Sequence, residues 1–494
     1  MEKIIALILG LVVLLAILIG FFIIVRWLYG RISEIGEKTE IQNYEEKKMI
    51  NMSSFKNSIG VRFVIIGIIA LVMMIPLAKV SQMVYERSTL HQGVLNSIAF
   101  QWGKPQVVMG PALILPIVEK YNITEKVADS KGNEKIESRV VYRNKNIVIL
   151  PKVLNKNIGL QEHYRYRGIY RSLVYTSDVE VDGKFILPDI SKLSDNIDKV
   201  RYDKAYMLMG LSDTKAIEHV SSLSFGSNSY SFDPGTRLNL KGILSGFHAP
   251  LELSEAQKEY TFKFNLKANG SSYIRFSAFG EQTIVKIHSS WKHPSFQGAI
   301  LPMDRNISEQ GFVATWKIPS LARNFPQSWI SEDNVYAVNK LLAGVDLYEP
   351  IALYSLVERS VKYGALFILL TFLTFLIFEM TQKSKLHYVQ YILIGSSLGL
   401  FFLILLSLSE HILFFKAYIS ASALTILSIS TYAWFSNKSA KQFFTILTLL
   451  AALYALLYSI LQLEDYALLM GTGLLIVTLF VLMWVTRNLK VSEE

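Results

Sequence analysis

Two short polar pairs interrupt the apolar C-terminal part of this 494-residue chain: Glu410-His411 and Glu464-Asp465. Carboxylates beside an imidazole can hold a divalent cation or carry out general acid–base chemistry. Each pair falls at the end of an apolar run. If those runs are transmembrane helices, both pairs sit at one depth and can meet in a folded bundle. The plainer reading is that short outer turns need charge to stay in water. That reading is favoured, and Glu410, His411, Glu464 and Asp465 stand as a candidate polar cluster.

Other chemistry-bearing residues are weaker. His293-Pro294-Ser295 brings an imidazole near a hydroxyl, yet no Gly-x-Ser-x-Gly elbow precedes any serine. The intervening proline reads better as a fixed turn. Glu379 lies near the end of an apolar run, four residues before Lys383, the helical spacing at which Glu and Lys attract. There is no cysteine, hence no disulfide, thiolate metal site or cysteine nucleophile. Walker loops, dinucleotide fingerprints and His-Glu-x-x-His helices do not occur. No catalytic, cofactor or metal residue is assigned.

The elements that would position these residues follow from hydropathy. A bilayer core of about 30 Å needs about 20 apolar residues per helical span. Segments 4–25, 63–78, 363–380, 389–408, 412–435, 442–463 and 466–486 meet or approach that length. Hydrophobic residues are 51% of the chain and charged residues 18%, below the roughly 25% usual for soluble domains, and mean hydropathy is +0.32. The expected architecture is a polytopic α-helical membrane protein with two N-terminal and five C-terminal spans and a large β-rich (α+β) extracytoplasmic domain. Its parts are a first anchor at 1–27, a charged cytoplasmic linker at 28–62, a second helix at 63–83, the β-rich domain at 84–358, a five-helix bundle at 359–488 and a tail at 489–494.

Orientation follows from basic residues in short loops, which stay in the cytoplasm. Segment 26–62 holds seven: Arg26, Arg31, Lys38, Lys47, Lys48, Lys56 and Arg62. Placing it inside delivers 84–358 outside, returns Lys383, Lys385, Lys438, Lys441, Arg487 and Lys490 to the inside, and leaves Glu410, His411, Glu464 and Asp465 outside. The N-terminus is then outside and the C-terminus cytoplasmic. The formal charge of +10 is accounted for by these loops and surface lysines, with no nucleic-acid motif.

Within 84–358, a helix is expected over 84–103 and strands from Val107 onward, separated by turns at Asp182-Gly183, Asp233-Pro234-Gly235 and Asn269-Gly270. Short strands at that spacing argue for a β-sandwich or related antiparallel fold. Helical pieces are expected near 191–220. Gly395-x-x-x-Gly399 and Gly471-Thr472-Gly473 offer flat faces for close helix packing.

Several blocks resemble the bacterial inner-membrane CreD family. They are Trp291-Lys-His293-Pro294-Ser295-Phe296-Gln-Gly298, then Ser308-Glu-Gln-Gly311-Phe312 with Trp316, then Phe378-Glu379, Leu386-His387 and Gln390-Tyr391. Ser409-Glu410-His411 and Thr486-Arg487-Asn488 match too, as do Gln101-Trp-Gly103 and Gly110-Pro111. The resemblance covers roughly 61–490, with 1–60 as an addition. It implies a cell-envelope integrity protein of the inner membrane, in some cases induced by envelope or cell-wall stress and linked with altered sensitivity to colicins and β-lactams. It implies no reaction or ligand. The leading expectation is a non-enzymatic envelope protein whose outer domain senses or binds an envelope component, partnered by the bilayer and by an envelope component or membrane protein. Alternatives are a membrane enzyme acting on lipid or cell-wall precursors at the outer polar cluster and, below it, a transporter.

Overall fold

The computed structural model describes residues 59–128, 134–347, 349, 353–382, 386–437 and 440–462, with scattered positions between 469 and 483. The chain forms two compact units, 91–350 and the remainder on either side of it.

Unit 91–350 is β-rich. Its first strands are long: β1 (Gln106–Ala128), β2 (Glu134–Ile149), β3 (Val153–Arg167) and β4 (Tyr170–Ile186). Shorter ones follow: β5 (Ile197–Val200), β6 (Ala205–Leu211), β7 (Ile217–Val220), β8 (Leu223–Phe225), β9 (Asn228–Tyr230), β10 (Asp233–Pro234) and β11 (Gly246–Leu251). The last are β12 (Glu259–Ser271), β13 (Tyr273–Ser277), β14 (Gln282–Ser289), β15 (Pro294–Gly298), β16 (Asp304–Ser308), β17 (Gly311–Pro319), β18 (Ser328–Ile330) and β19 (Leu342–Leu347). They make a ten-stranded sheet, ordered β10-β11-β6-β1-β13-β19-β15 with β2, β5 and β18 alongside, and a nine-stranded sheet, ordered β16-β17-β14-β3-β4-β12-β8-β9 with β7 alongside. Pairing is antiparallel except for β1 with β13 and β3 with β14.

Period-two alternation builds the shared core. Along Gln282–Ser289 every second residue is buried, as it is along most of Glu259–Ser271, so one face of each strand turns inward. Phe276 of one sheet meets Trp316 of the other edge-on at 5.4 Å.

Three local expectations are corrected. Asp182-Gly183 and Asn269-Gly270 are not turns; they lie inside β4 and β12. Their glycines are needed for close approach instead. A Cβ at Gly183 would lie 2.1 Å from the Val153 carbonyl oxygen, and one at Gly270 would lie 2.3 Å from the Tyr175 ring. The helical pieces near 191–220 are only single 3₁₀ turns at Ile190–Lys192, Tyr202–Lys204 and Thr214–Ala216. Between them Ala205–Leu211 is a strand buried at every position, and a strand buried on both faces loses the alternation that distinguishes it from a helix. At Asp233-Pro234-Gly235 the first two residues form β10, paired with β11, and the chain bends only at Gly235, φ +83°.

The other unit is helical: α1 (Ile59–Val72), α2 (Met74–Trp102, whose last residues enter the β-rich unit), α3 (Leu353–Lys362), α4 (Gly364–Gln382), α5 (Tyr388–Ser409), α6 (Phe414–Asn437) and α7 (Ala440–Gln462). Among the described residues four stretches are long and apolar enough to cross a membrane: Val61–Trp102, Tyr388–Ser409, Phe414–Ser436 and Gln442–Gln462. The pair α3 and α4, bent by 41°, makes a fifth if taken as one span. The expected spans 4–25 and, for the most part, 466–486 lie outside the described residues. This is a membrane protein with a large β-rich domain. Gly395 admits Met73 and Phe372, whose atoms would come within 2.9 Å of an added Cβ, whereas Gly399 has nothing within 4 Å among the described residues. Close packing therefore uses one glycine of that pair.

Lys156 is a buried basic group in the β core, unpaired among the described residues. Lys156 on β3 points inward between the sheets and donates to the Val108 carbonyl at 3.2 Å. Burial pushes its ammonium down to about 7, against about 10.4 in an unfolded chain. Below about pH 7 the folded and unfolded states hold the same proton and the full penalty is felt. As pH rises from about 7 towards 10.4 the unfolded state gives up its advantage and stability increases. Lys156→Met is therefore expected to raise the unfolding temperature of the detergent-solubilised protein near neutral pH, by removing a cost on the order of 4 kcal/mol. It should also flatten that rise with pH; a variant that is less stable, or that keeps the slope, contradicts the assignment.

Candidate functional site

A cleft of about 610 Å³ opens on the outward face of the nine-stranded sheet. Alternation along β14 turns His288 outward, and register places its neighbours in one transverse row. Asn306 on β16 pairs with Val313 on β17, Val313 with His288, His288 with Gly159 on β3, and Gly159 with Asp178 on β4. Gly159 makes the depression: an added Cβ would sit 3.0 Å from His288 Nε2. Gln161, Ser290, Ser308 and Gln310 extend the polar lining, which among the described residues includes no Lys or Arg. Glu162 accepts from Ser289 Oγ at 2.8 Å and from Ser290 Oγ, fixing that end. Sequence reading missed this row. The alternation that exposes His288 was legible, but the strands lying beside it were not.

The motif Trp291–Gly298 carries the chain from the end of β14 in the nine-stranded sheet into β15 at the edge of the ten-stranded sheet. Trp291 donates from its backbone to Ser289 Oγ at 3.1 Å and from its indole to the His293 carbonyl at 3.1 Å. Pro294 opens the edge strand β15, a position that tolerates a missing N–H. Ser295 Oγ accepts from Gln297, and His293 is exposed beside the Trp291 ring, 6.1 Å between centroids. Phe296 packs on Phe312 at 5.8 Å and on Trp316 at 6.0 Å. Gly298 and Gly311 both have φ near +119°, and added Cβ atoms would strike the carbonyl oxygens of Leu342 and Ser289 at 2.3 and 2.1 Å.

In the helical unit, Glu410 closes α5 and accepts a hydrogen bond from Tyr354 Oη at 2.9 Å, with Arg87 at 3.9 Å. His411 is exposed. Glu464 and Asp465 lie outside the described residues, as do Arg487 and Asn488. Among the described residues no three His, Asp or Glu gather as metal ligands.

The buried polar centre of this unit is elsewhere. Glu379 on α4 takes Arg62 as its partner at 2.6 Å, 317 positions away in sequence. Arg62 also donates to the Leu386 carbonyl at 2.9 Å, and the Leu386 N–H donates to Glu379. His387 then caps α5: its ring accepts from the Val389 N–H at 3.3 Å, while Gln390 accepts from the His387 N–H at 2.9 Å. The expected Lys383 partner lies outside the described residues. The block Glu379, Leu386, His387, Gln390 thus fastens α1 to the α4–α5 turn. Removing one member of such a pair strands the other charge and costs about 3–5 kcal/mol, whereas replacing both with apolar groups is often neutral. Glu379→Gln is expected to lower the unfolding temperature of the purified protein, and Arg62→Met with Glu379→Leu to recover most of that loss. A single variant as stable as the wild type contradicts the pairing.

Residues 58–492 match the family model described as inner membrane protein CreD. The inner membrane protein CreD of Escherichia coli is 31% identical over 426 residues, covering 85% of this chain and 90% of that protein. Crystal structures of a zinc metallopeptidase from Deinococcus radiodurans cover 34% of this chain and 38% of theirs at 7% identity, with TM-scores of 0.17 and 0.16. Likeness at that level supports no inference about fold or chemistry. The structural motif blocks around Trp291, Gly311 and Glu379 all fall inside the matched range, and the chain belongs to the CreD family of inner membrane proteins.

Proposed function

We propose that the protein maintains the cell envelope under stress without catalysing a reaction, its β-rich domain facing the periplasm and binding an envelope component while the helices anchor it. The observation that carries this reading is the polar cleft across the outward sheet face, on the domain that the charge distribution of the short loops would deliver outside. Membership of an inner-membrane family supports the location. The membrane-enzyme alternative gains little from Glu410, whose described partners Tyr354 and Arg87 suit a helix end held in place.

Two measurements test the proposal. A reporter inserted within 120–340 is expected to be periplasmic and one fused after Asn437 cytoplasmic; the reverse pattern overturns the topology. A strain lacking the protein is expected to leak a periplasmic marker under cell-wall stress and to be rescued by the wild-type chain. The triple variant Glu410→Gln, His411→Ala, Asp465→Asn should rescue fully. Failure at equal expression would return the outer polar cluster to the centre of the function.

A further inference from the structure

We infer that the cleft on the nine-stranded sheet binds a neutral, hydroxyl-rich chain, a saccharide oligomer, laid across the strands along the row Asn306, Val313, His288, Gly159 and Asp178. The inference deepens the proposed binding of an envelope component and rests on it.

The shape comes first. The row crosses five adjacent strands, β16, β17, β14, β3 and β4. At about 4.8 Å between strands its ends are roughly 19 Å apart. A groove of that length and about 610 Å³ suits an extended oligomer rather than a single ring. Gly159 keeps the middle low: any side chain there would crowd the His288 imidazole.

The lining then selects the chemistry. Asn306, Gln161 and Gln310 carry amides that donate and accept, while the Ser308 hydroxyl donates to the Gly311 carbonyl at 3.3 Å and accepts from the Gln310 N–H at 3.2 Å, which fixes that end of the row. His288 adds a ring with one donor and one acceptor when neutral, and Asp178 adds acceptors. Groups of this kind are complementary to hydroxyls and amides, each of which also donates and accepts. A phosphorylated or otherwise anionic ligand would find no lining Lys or Arg and would face the Asp178 carboxylate. An apolar ligand would strand the amides without partners, at a cost for each. Val313 and the bare Gly159 backbone supply a strip against which ring C–H groups can rest.

An extended peptide fits less well. Strand addition uses free backbone N–H and C=O groups at a sheet edge. On this face β17, β14 and β3 are each paired on both sides, so their backbone groups are engaged in the ladder. Recognition has to come from side chains. That requirement favours a ligand whose own periphery is all hydroxyl and amide.

The test uses the full-length protein in detergent and titration calorimetry with three probes: a tetramer of N-acetylglucosamine, a tetramer of glucose and an uncharged glycine-serine octapeptide. Saturable binding of at least one saccharide is expected, with little or none of the peptide. Gly159→Val, which fills the depression, and His288→Ala, which removes a central hydrogen-bonding group from an exposed position, are each expected to weaken binding by about tenfold or more. Tyr142→Ala, exposed on the other sheet, should leave it unchanged. Circular dichroism and unfolding temperature verify that each variant is folded. Absence of saturable saccharide binding, preference for the peptide, or binding indifferent to both cleft variants overturns the proposal. The envelope reading fails separately, through the leakage assay: a strain that never leaks refutes that reading whatever the calorimeter shows.

Discussion

Arg62 and Glu379, 2.6 Å apart and largely removed from solvent, carry out for the helices what a hydrophobic core alone does not. Lipid tails are as apolar as leucine, so apolar side chains give helices little preference for one another over the bilayer. A paired charge does give one, because each member is costly without the other. The pair joins α1 to α4, and through Leu386 it reaches the start of α5, where His387 and Gln390 complete the cap. Closer packing builds outward from that point. Gly395 receives Met73 and Phe372, and Tyr418 donates to the Tyr454 carbonyl at 2.7 Å to join α6 to α7.

The β-rich unit meets the same demand differently. Glu119, fully buried on β1, takes Lys145 of β2 at 2.6 Å, and Lys145 also reaches Asp333 and Tyr121. Burial would push the Glu119 carboxyl up, but the bonds from Lys145, Ser194 and Tyr121 outweigh it and hold the group below its ordinary value. Lys145 is held above its ordinary value by Asp333, Glu119 and Tyr121 despite its own burial. Among the described residues Lys156 has only the Val108 carbonyl within reach, and burial pushes its ammonium down to about 7. Two buried lysines in one domain therefore end with opposite tendencies, decided by what lies within hydrogen-bond reach.

Most of the family blocks serve geometry. Gly298 and Gly311 occupy positive-φ positions against neighbouring carbonyls, Pro294 starts an edge strand, and Phe296, Phe312 and Trp316 fill the space between sheets. The cleft is different. Its exposed row contributes nothing evident to the core, and Gly159 does not have the positive φ that would explain a glycine by backbone strain. The chemistry of this unit is therefore sought on the open sheet face, beside a motif whose work is to hold two sheets together.

Hydropathy by itself separated apolar spans from a β-rich insert, because membrane helices and half-buried strands leave different periods in sequence. The inner-membrane family was legible in the blocks from Trp291 to Trp316 and from Phe378 to Tyr391, since residues held by local geometry stay close together in the chain. Pairings across hundreds of positions were not. Nothing local to Glu379 points to Arg62, and the helical-spacing rule pointed to Lys383 instead. Gly183 and Gly270 read as turns because glycine signals conformational freedom, and only the packed sheets show that what they supply is a missing side chain. Alternation along Gln282–Ser289 is the signal that could have marked His288 as outward-facing. That Asn306, Gly159 and Asp178 stand beside it was decided by sheet order and register, which long-range backbone pairing sets and local sequence does not encode.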